Sequence, residues 1–146
     1  METMQLVTKF VAALCCAIFC GAAIYINWVE HPARMECGSE LAATEFAPSY
    51  RRATIMQASL AVIGLLCALA AWLTGAGTAW LVGGVLLGLV VPFTLVVIRP
   101  TNQRLLDASL DKRSALAREL LQRWGRLHAV RSLLSLGALI IFLTHV

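Results

Sequence analysis

Three kinds of side chain in this sequence are equipped for chemistry: two histidines, a set of arginines, and a few amides and aromatics. Asn27, Glu30 and His31 follow an i, i+3, i+4 spacing, so a helix carries them on one face, with Arg34 just beyond. Trp124, His128, Arg131 and Ser135 repeat that spacing near the other end of the chain, and Tyr50, Thr54 and Gln57 align similarly. Arg51 and Arg52 flank that last set, and Asn102 follows Arg99-Pro100-Thr101. A histidine near its ordinary pKa serves as a general base at neutral pH. Arginine stabilises a developing anion, and amides and rings orient a substrate. His31 and His128 are therefore the candidate bases, with Arg34 and Arg131 as the stabilising cations. Tyr50, Arg52, Gln57, Asn102 and Trp124 are the candidate substrate contacts.

The elements that position these groups are membrane helices. The chain has 146 residues, 60% hydrophobic and 14% charged, with a mean hydropathy of +0.79. A soluble domain carries about a quarter charged residues, so disorder, a basic nucleic-acid-binding domain and an ordinary cytosolic enzyme are excluded. Residues 53 to 98 and 10 to 29 contain no Asp, Glu, Lys or Arg. A spanning helix needs roughly 20 apolar residues. The longer stretch must break at Thr74-Gly75-Ala76-Gly77-Thr78, giving four spans at about 6–29, 52–73, 78–98 and 127–146. The first run is longer than the roughly 7–15 apolar residues of a signal peptide and lacks a small-x-small cleavage site, so a retained helix is expected. The expected fold is all-α: one membrane domain over 1–146, a four-helix bundle with short interfacial helices in its two larger loops. Residues 35–46 supply one of those helices. Asp111 or Ser109 is expected to cap the other, which starts at Lys112 and runs into the fourth span.

Of the twelve Lys and Arg, only Lys9 falls on the side of the termini. The positive-inside bias then places both larger loops in the cytoplasm and both termini outside a cell membrane. The net charge of +4 is this asymmetry; it suits anionic lipid and does not point to nucleic acid. Gly84 and Gly88, with Pro92 four residues on, and Gly64, Ala68 and Ala71 form small-residue stripes for close helix packing. Pro92 is also expected to kink its helix, and Pro32 to end the first one. Cys15, Cys16, Cys20, Cys37 and Cys67 show no ligand spacing and read as packing residues. His145, at the other end of the bundle, is incidental.

Four segments together resemble a known family. They are His31-Pro32-Ala33-Arg34, Ser49-Tyr50-Arg51-Arg52-Ala53-Thr54-Ile55-Met56-Gln57, Pro100-Thr101-Asn102-Gln103-Arg104-Leu105-Leu106-Asp107 and Arg123-Trp124-Gly125-Arg126-Leu127-His128-Ala129-Val130-Arg131. In content and order they are similar to the anthrone oxygenase-like family of small four-span membrane proteins. Characterised fungal members oxidise anthrones to anthraquinones with dioxygen. The resemblance implies an oxygenase for a small aromatic phenolic or quinol-like substrate; no residue roles come with it.

The chemistry suits the residues. An anthrone carbon acid gives a phenolate-like anion that reduces dioxygen directly, so no cofactor is strictly required. Two alternatives stay open on the residues alone. His31 and His128 can be the two axial ligands of a haem, or ligands of a metal, in a four-helix bundle. The chain can also be a non-enzymatic assembly or lipid-binding subunit, its Gly84–Gly88 face packed on another copy as a homo-oligomer. In each case membrane lipid is a partner. The enzymatic reading predicts a pocket at the loop end of the bundle shared by both histidines, with Arg131 turned inward.

Overall fold

The computed structural model describes residues 2–145. Four helices long and apolar enough to cross a membrane run antiparallel: α1 Glu2–Glu36, α2 Ser39–Leu73, α3 Thr78–Leu105 and α4 Ala115–Thr144. The chain is all-helical apart from its connections, and no strand occurs among the described residues. The α2–α3 hairpin falls on the expected glycines. Gly75 and Gly77 have φ of +93° and +98°, backbone that other residues adopt only at a cost.

All four helices are longer than the apolar spans. The helix expected over residues 35–46 is instead split at Gly38: Met35 and Glu36 end α1 and residues 39–51 lengthen α2, while residues 115–126 lengthen α4. Ser114, not Asp111 or Ser109, caps α4, its Oγ accepting from the Ala117 amide at 3.1 Å. The two aspartates are spent on the loop itself. Asp111 Oδ1 accepts from the Arg113 amide at 2.9 Å. Asp107 Oδ1 accepts from the Ser109 amide at 2.9 Å and from its hydroxyl at 2.8 Å, which holds the carboxyl below its ordinary range. Arg113 grips Glu40 in the first turn of α2 through Nε and Nη2, at 2.8 and 2.9 Å.

Pro32 does not end α1. Instead, Ile26–Glu30 form a π-helical turn and the helix resumes through Glu36. The same device recurs in α3, where Thr94–Ile98 form a π-helical turn ahead of Pro100. A proline ring collides with the carbonyl four residues back and cannot bond it. In each helix that carbonyl, of Trp28 or Val96, lies in the widened turn, so the chain absorbs the proline without stopping. α3 is also interrupted once at Leu89, three residues ahead of Pro92.

Two apolar clusters hold the bundle. One lies toward the hairpin and includes Phe19, Ala61, Ala68, Trp80, Leu87 and Phe142. The other lies at the loop end and includes Ile26, Phe46, Ile98, Leu105, Leu121 and Trp124. The small-residue stripe is used within the chain. A Cβ on Gly84 would meet Ala68 Cβ at 2.7 Å, and one on Gly88 would meet Leu65 Cδ2 at 2.8 Å. The face offered above to a second copy is therefore occupied by α2. Between the clusters the interior turns polar, with buried Gln57, His128, Ser132 and Ser135.

Candidate functional site

This polar layer encloses a cavity to which every helix contributes. Glu30 and Arg34 come from α1; Ser49, Tyr50, Thr54 and Gln57 from α2; Asn102 from α3; Trp124, His128 and Arg131 from α4. The first π-helical turn borders it through Ile26 and Glu30, and Asn102 comes from the α-helical turn that follows the second. The enclosed space is about 20 Å³, room for roughly one water. A groove of about 660 Å³ between α1 and α2 adjoins it. Ile26, Glu30, Ser49, Ala53 and Gln57 line both spaces and form the partition between them.

His128 is 2% exposed, and its tautomer follows from its neighbours. Asn27 Nδ2 donates to the Gly125 carbonyl at 2.9 Å, which fixes the amide so that Oδ1 faces α4. That oxygen accepts from Ser132 Oγ at 2.7 Å and lies 2.7 Å from His128 Nδ1. An amide oxygen only accepts, so Nδ1 carries the proton and Nε2 is left as the basic nitrogen. The π-helical turn in α1 contains Asn27 and sets the register at which its amide meets α4.

The cations are held differently. Arg34 is 7% exposed and forms ion pairs with Glu30 and with Glu45 at 3.1 Å. Ser49 Oγ steadies Glu30 from α2 at 3.1 Å, and the guanidinium lies 6.0 Å from the Trp124 ring centroid. Arg131 turns inward, as expected. Its Nη2 donates to Gln57 Oε1 at 2.7 Å, and its guanidinium sits 5.4 Å from the Phe19 ring centroid. No carboxylate lies within 4.0 Å of it among the described residues.

Several buried polar atoms have no partner. They include both amide atoms of Asn102, Nε2 of Gln57 and Nε of Arg131. Asn102 and Gln57 are each 2% exposed. Buried polar groups are nearly always bonded, so a layer with this many open donors and acceptors is built to receive something polar.

Seven of the nine expected pocket residues line the cavity: Arg34, Tyr50, Gln57, Asn102, Trp124, His128 and Arg131. Two do not. Arg52 is exposed and lines the α1–α2 groove. His31 lines a separate groove on the α1–α4 side. The histidines share a neighbour rather than a pocket: the Trp124 ring is 4.8 Å from His128 and 5.3 Å from His31. Because the two imidazoles open onto different spaces, they do not form the facing pair that a bis-histidine haem needs. Among the described residues no three His, Cys, Asp or Glu converge as a metal site.

The anthrone oxygenase family profile matches residues 46–141, which take in most of α2, all of α3 and nearly all of α4. This chain belongs to the anthrone oxygenase family. No curated protein and no solved structure matches it. The family match covers Tyr50, Gln57, Asn102, Trp124, His128 and Arg131. It leaves α1, which supplies Asn27 and Arg34, outside.

The residues that sequence reasoning passed over are Asn27 as a partner of His128, Ser132, Ser49, Phe46 and Gly125. Asn27 did carry a signal, sharing a face with Glu30 and His31. Gly125 carried one too, as a glycine set between Arg123 and Arg126. A Cβ there would stand 2.6 Å from His31 Cδ2 and Nε2, so the glycine admits the histidine ring between α1 and α4.

Proposed function

We propose that this family member is an oxygenase that converts a lipid-soluble anthrone-type or quinol-like substrate with dioxygen, using His128 as the base. The observation that carries the reading is a basic nitrogen on His128, held by Asn27, in a cavity with two guanidinium groups and an unpartnered Asn102 amide. Family membership supports the substrate class.

The reaction balances without a further reductant. His128 Nε2 takes a proton from the ring CH2 opposite the carbonyl, and the electron pair delocalises into a phenolate-like anion. Arg131 or Arg34 stabilises the oxygen of that anion in a water-poor site. The anion passes one electron to dioxygen, and the resulting radical and superoxide combine to form a C–O bond. The peroxide takes back the proton, the second C–H proton is lost as the O–O bond breaks, and water leaves. One CH2 and one O2 become one C=O and one H2O.

The cavity is too small for an aromatic ring system until the partition of Glu30, Ser49 and Gln57 yields. The α1–α2 groove is the access route this reading uses, and the substrate reaches it from the bilayer. The charge bias supports an orientation with the loops cytoplasmic and the termini outside.

Purified protein in detergent or lipid nanodiscs should consume oxygen when given an anthrone, releasing the anthraquinone. His128→Ala should slow turnover by about 10²–10⁴-fold, the usual worth of a general base. Full turnover in that variant would overturn the base. No turnover of anthrones or hydroquinones by wild type would overturn the activity.

A further inference from the structure

The groove holding His31 is separate from the cavity of the proposed chemistry, although Asn27, which holds His128, and Gly125 also line the groove. It lies between α1 and α4, spans about 580 Å³, and is bordered by Trp28, Met35, Arg118, Gln122, Arg126 and Ala129, with His31 in its lining. Arg118, Gln122 and Arg126 recur every fourth residue on an exposed stripe of α4. No carboxylate lines the groove, and neither arginine has a salt-bridge partner among the described residues. This sets them apart from Arg34 and Arg113, whose charges are already matched within the chain.

Polarity along the groove is graded. Arg118 and Met35 mark its loop end, and Trp28 and Ala129 its membrane end. Arg118 to Ala129 covers roughly 16 Å at 1.5 Å per residue. Past Ala129 the surface of α4 continues as exposed Val130 and Leu133. Trp28, 81% exposed, stands where an amphipathic ring settles at a membrane interface. A molecule that matches this gradient has an anionic head and an apolar tail.

We infer that the α1–α4 groove is a binding site for an anionic glycerophospholipid. Arg118 and Arg126 hold its phosphodiester, and an acyl chain runs past Trp28 and Ala129 along the outer face of α4. Guanidinium groups suit phosphate through paired N–H donors, and two arginines two turns apart reach a single headgroup with their long side chains. Gln122, between them, offers an uncharged donor to the ester oxygens. The lipid would cover the outer side of His31 and so brace the wall formed by Trp124 and Gly125. The inference does not depend on the oxygenase reading.

The test is lipid retention, read without an activity assay. Protein is exchanged into nanodiscs of phosphatidylcholine with increasing phosphatidylglycerol, then released and analysed by native mass spectrometry and thermal unfolding. Wild type should retain phosphatidylglycerol over phosphatidylcholine and melt higher in its presence, while inorganic phosphate leaves the melting temperature unchanged. Arg118→Gln with Arg126→Gln should lower that preference by about tenfold, the scale of one lost charge-assisted contact. Arg99→Gln with Arg123→Gln removes the same charge from exposed positions elsewhere and should leave it intact. Equal loss in both double variants would mean general surface attraction and overturn the site. An equal shift with inorganic phosphate would mean a free-anion site and overturn the lipid assignment, as would undiminished retention by the Arg118/Arg126 variant.

Discussion

Replacing Gln57 with leucine should cost more stability than removing Arg131 itself. Arg131 brings a charge to membrane depth and makes one hydrogen bond there, to Gln57 Oε1 at 2.7 Å. Its Nε is buried without a partner. A hydrogen bond to a charged group contributes about 1.5–3 kcal/mol, and the Phe19 contact adds about 0.5–1 kcal/mol. Against these stands the cost of an arginine in the bilayer, about 2.5–3.5 kcal/mol at a helix centre on insertion scales. Arg131→Met deletes all of these together and leaves Gln57 Oε1 to the cavity it lines, which has room for roughly one water, so the expected change is within about 1.5 kcal/mol of zero. Gln57→Leu deletes only the bond and leaves the charge stranded, an expected loss of about 1.5–3 kcal/mol. The double variant should match or exceed wild type, a coupling of the size expected for residues in direct contact. Unfolding of all four proteins in one detergent, followed by tryptophan fluorescence, measures the cycle. A Gln57→Leu protein within about 0.5 kcal/mol of wild type would refute the pairing, since that is the ordinary scatter of neutral substitutions. So would an Arg131→Met protein that loses more than Gln57→Leu.

Asn27→Leu should release His128 to either tautomer, visible as a change in its ring ¹⁵N shifts. The same change should lower kcat with little effect on KM, while Asn27→Ser, which keeps an oxygen acceptor, recovers part of the loss. Gly125→Ala places a methyl 2.6 Å from the His31 ring and should destabilise by about 1–3 kcal/mol through overpacking, read as a fall in melting temperature; an unchanged value would mean that His31 moves freely. Asp107, whose carboxyl is held low by Ser109, stabilises the α3–α4 loop above its unfolded pKa, about 3.9. That contribution fades as pH falls toward the lower folded value; Ser109→Ala should raise the Asp107 pKa, as followed by carboxyl ¹³C shifts.

Much of the site was legible because helical spacing reports which residues share a face and how deep they lie. Tyr50 with Gln57, and Trp124 with His128 and Arg131, could be grouped from numbering alone, and all five line the cavity. Arg131 facing inward followed from the cost of a charge at its depth. The prolines misled more than any other residues. Pro32 reads as a helix end, yet the π-helical turn ahead of it carries α1 six residues further, to Glu36. That extension places Arg34 against Glu45 and the Trp124 ring.

By itself, the sequence determined four spans, the Gly75–Gly77 hairpin, the gathering of polar residues at one end, and the family. The first three follow from composition or from periodicity along a single helix, and the family from the likeness of four short segments. The rotation of one helix against another was decided only in the tertiary structure. His31 lies level with Gly125 and His128 level with Asn27, about one turn apart; Gly125 admits the His31 ring on one side of Trp124's helix, while Asn27 draws His128 toward the cavity. Depth is a property of one helix and its distance from the membrane surface. Direction depends on which side chains two helices press together, and only packing across the bundle sets that.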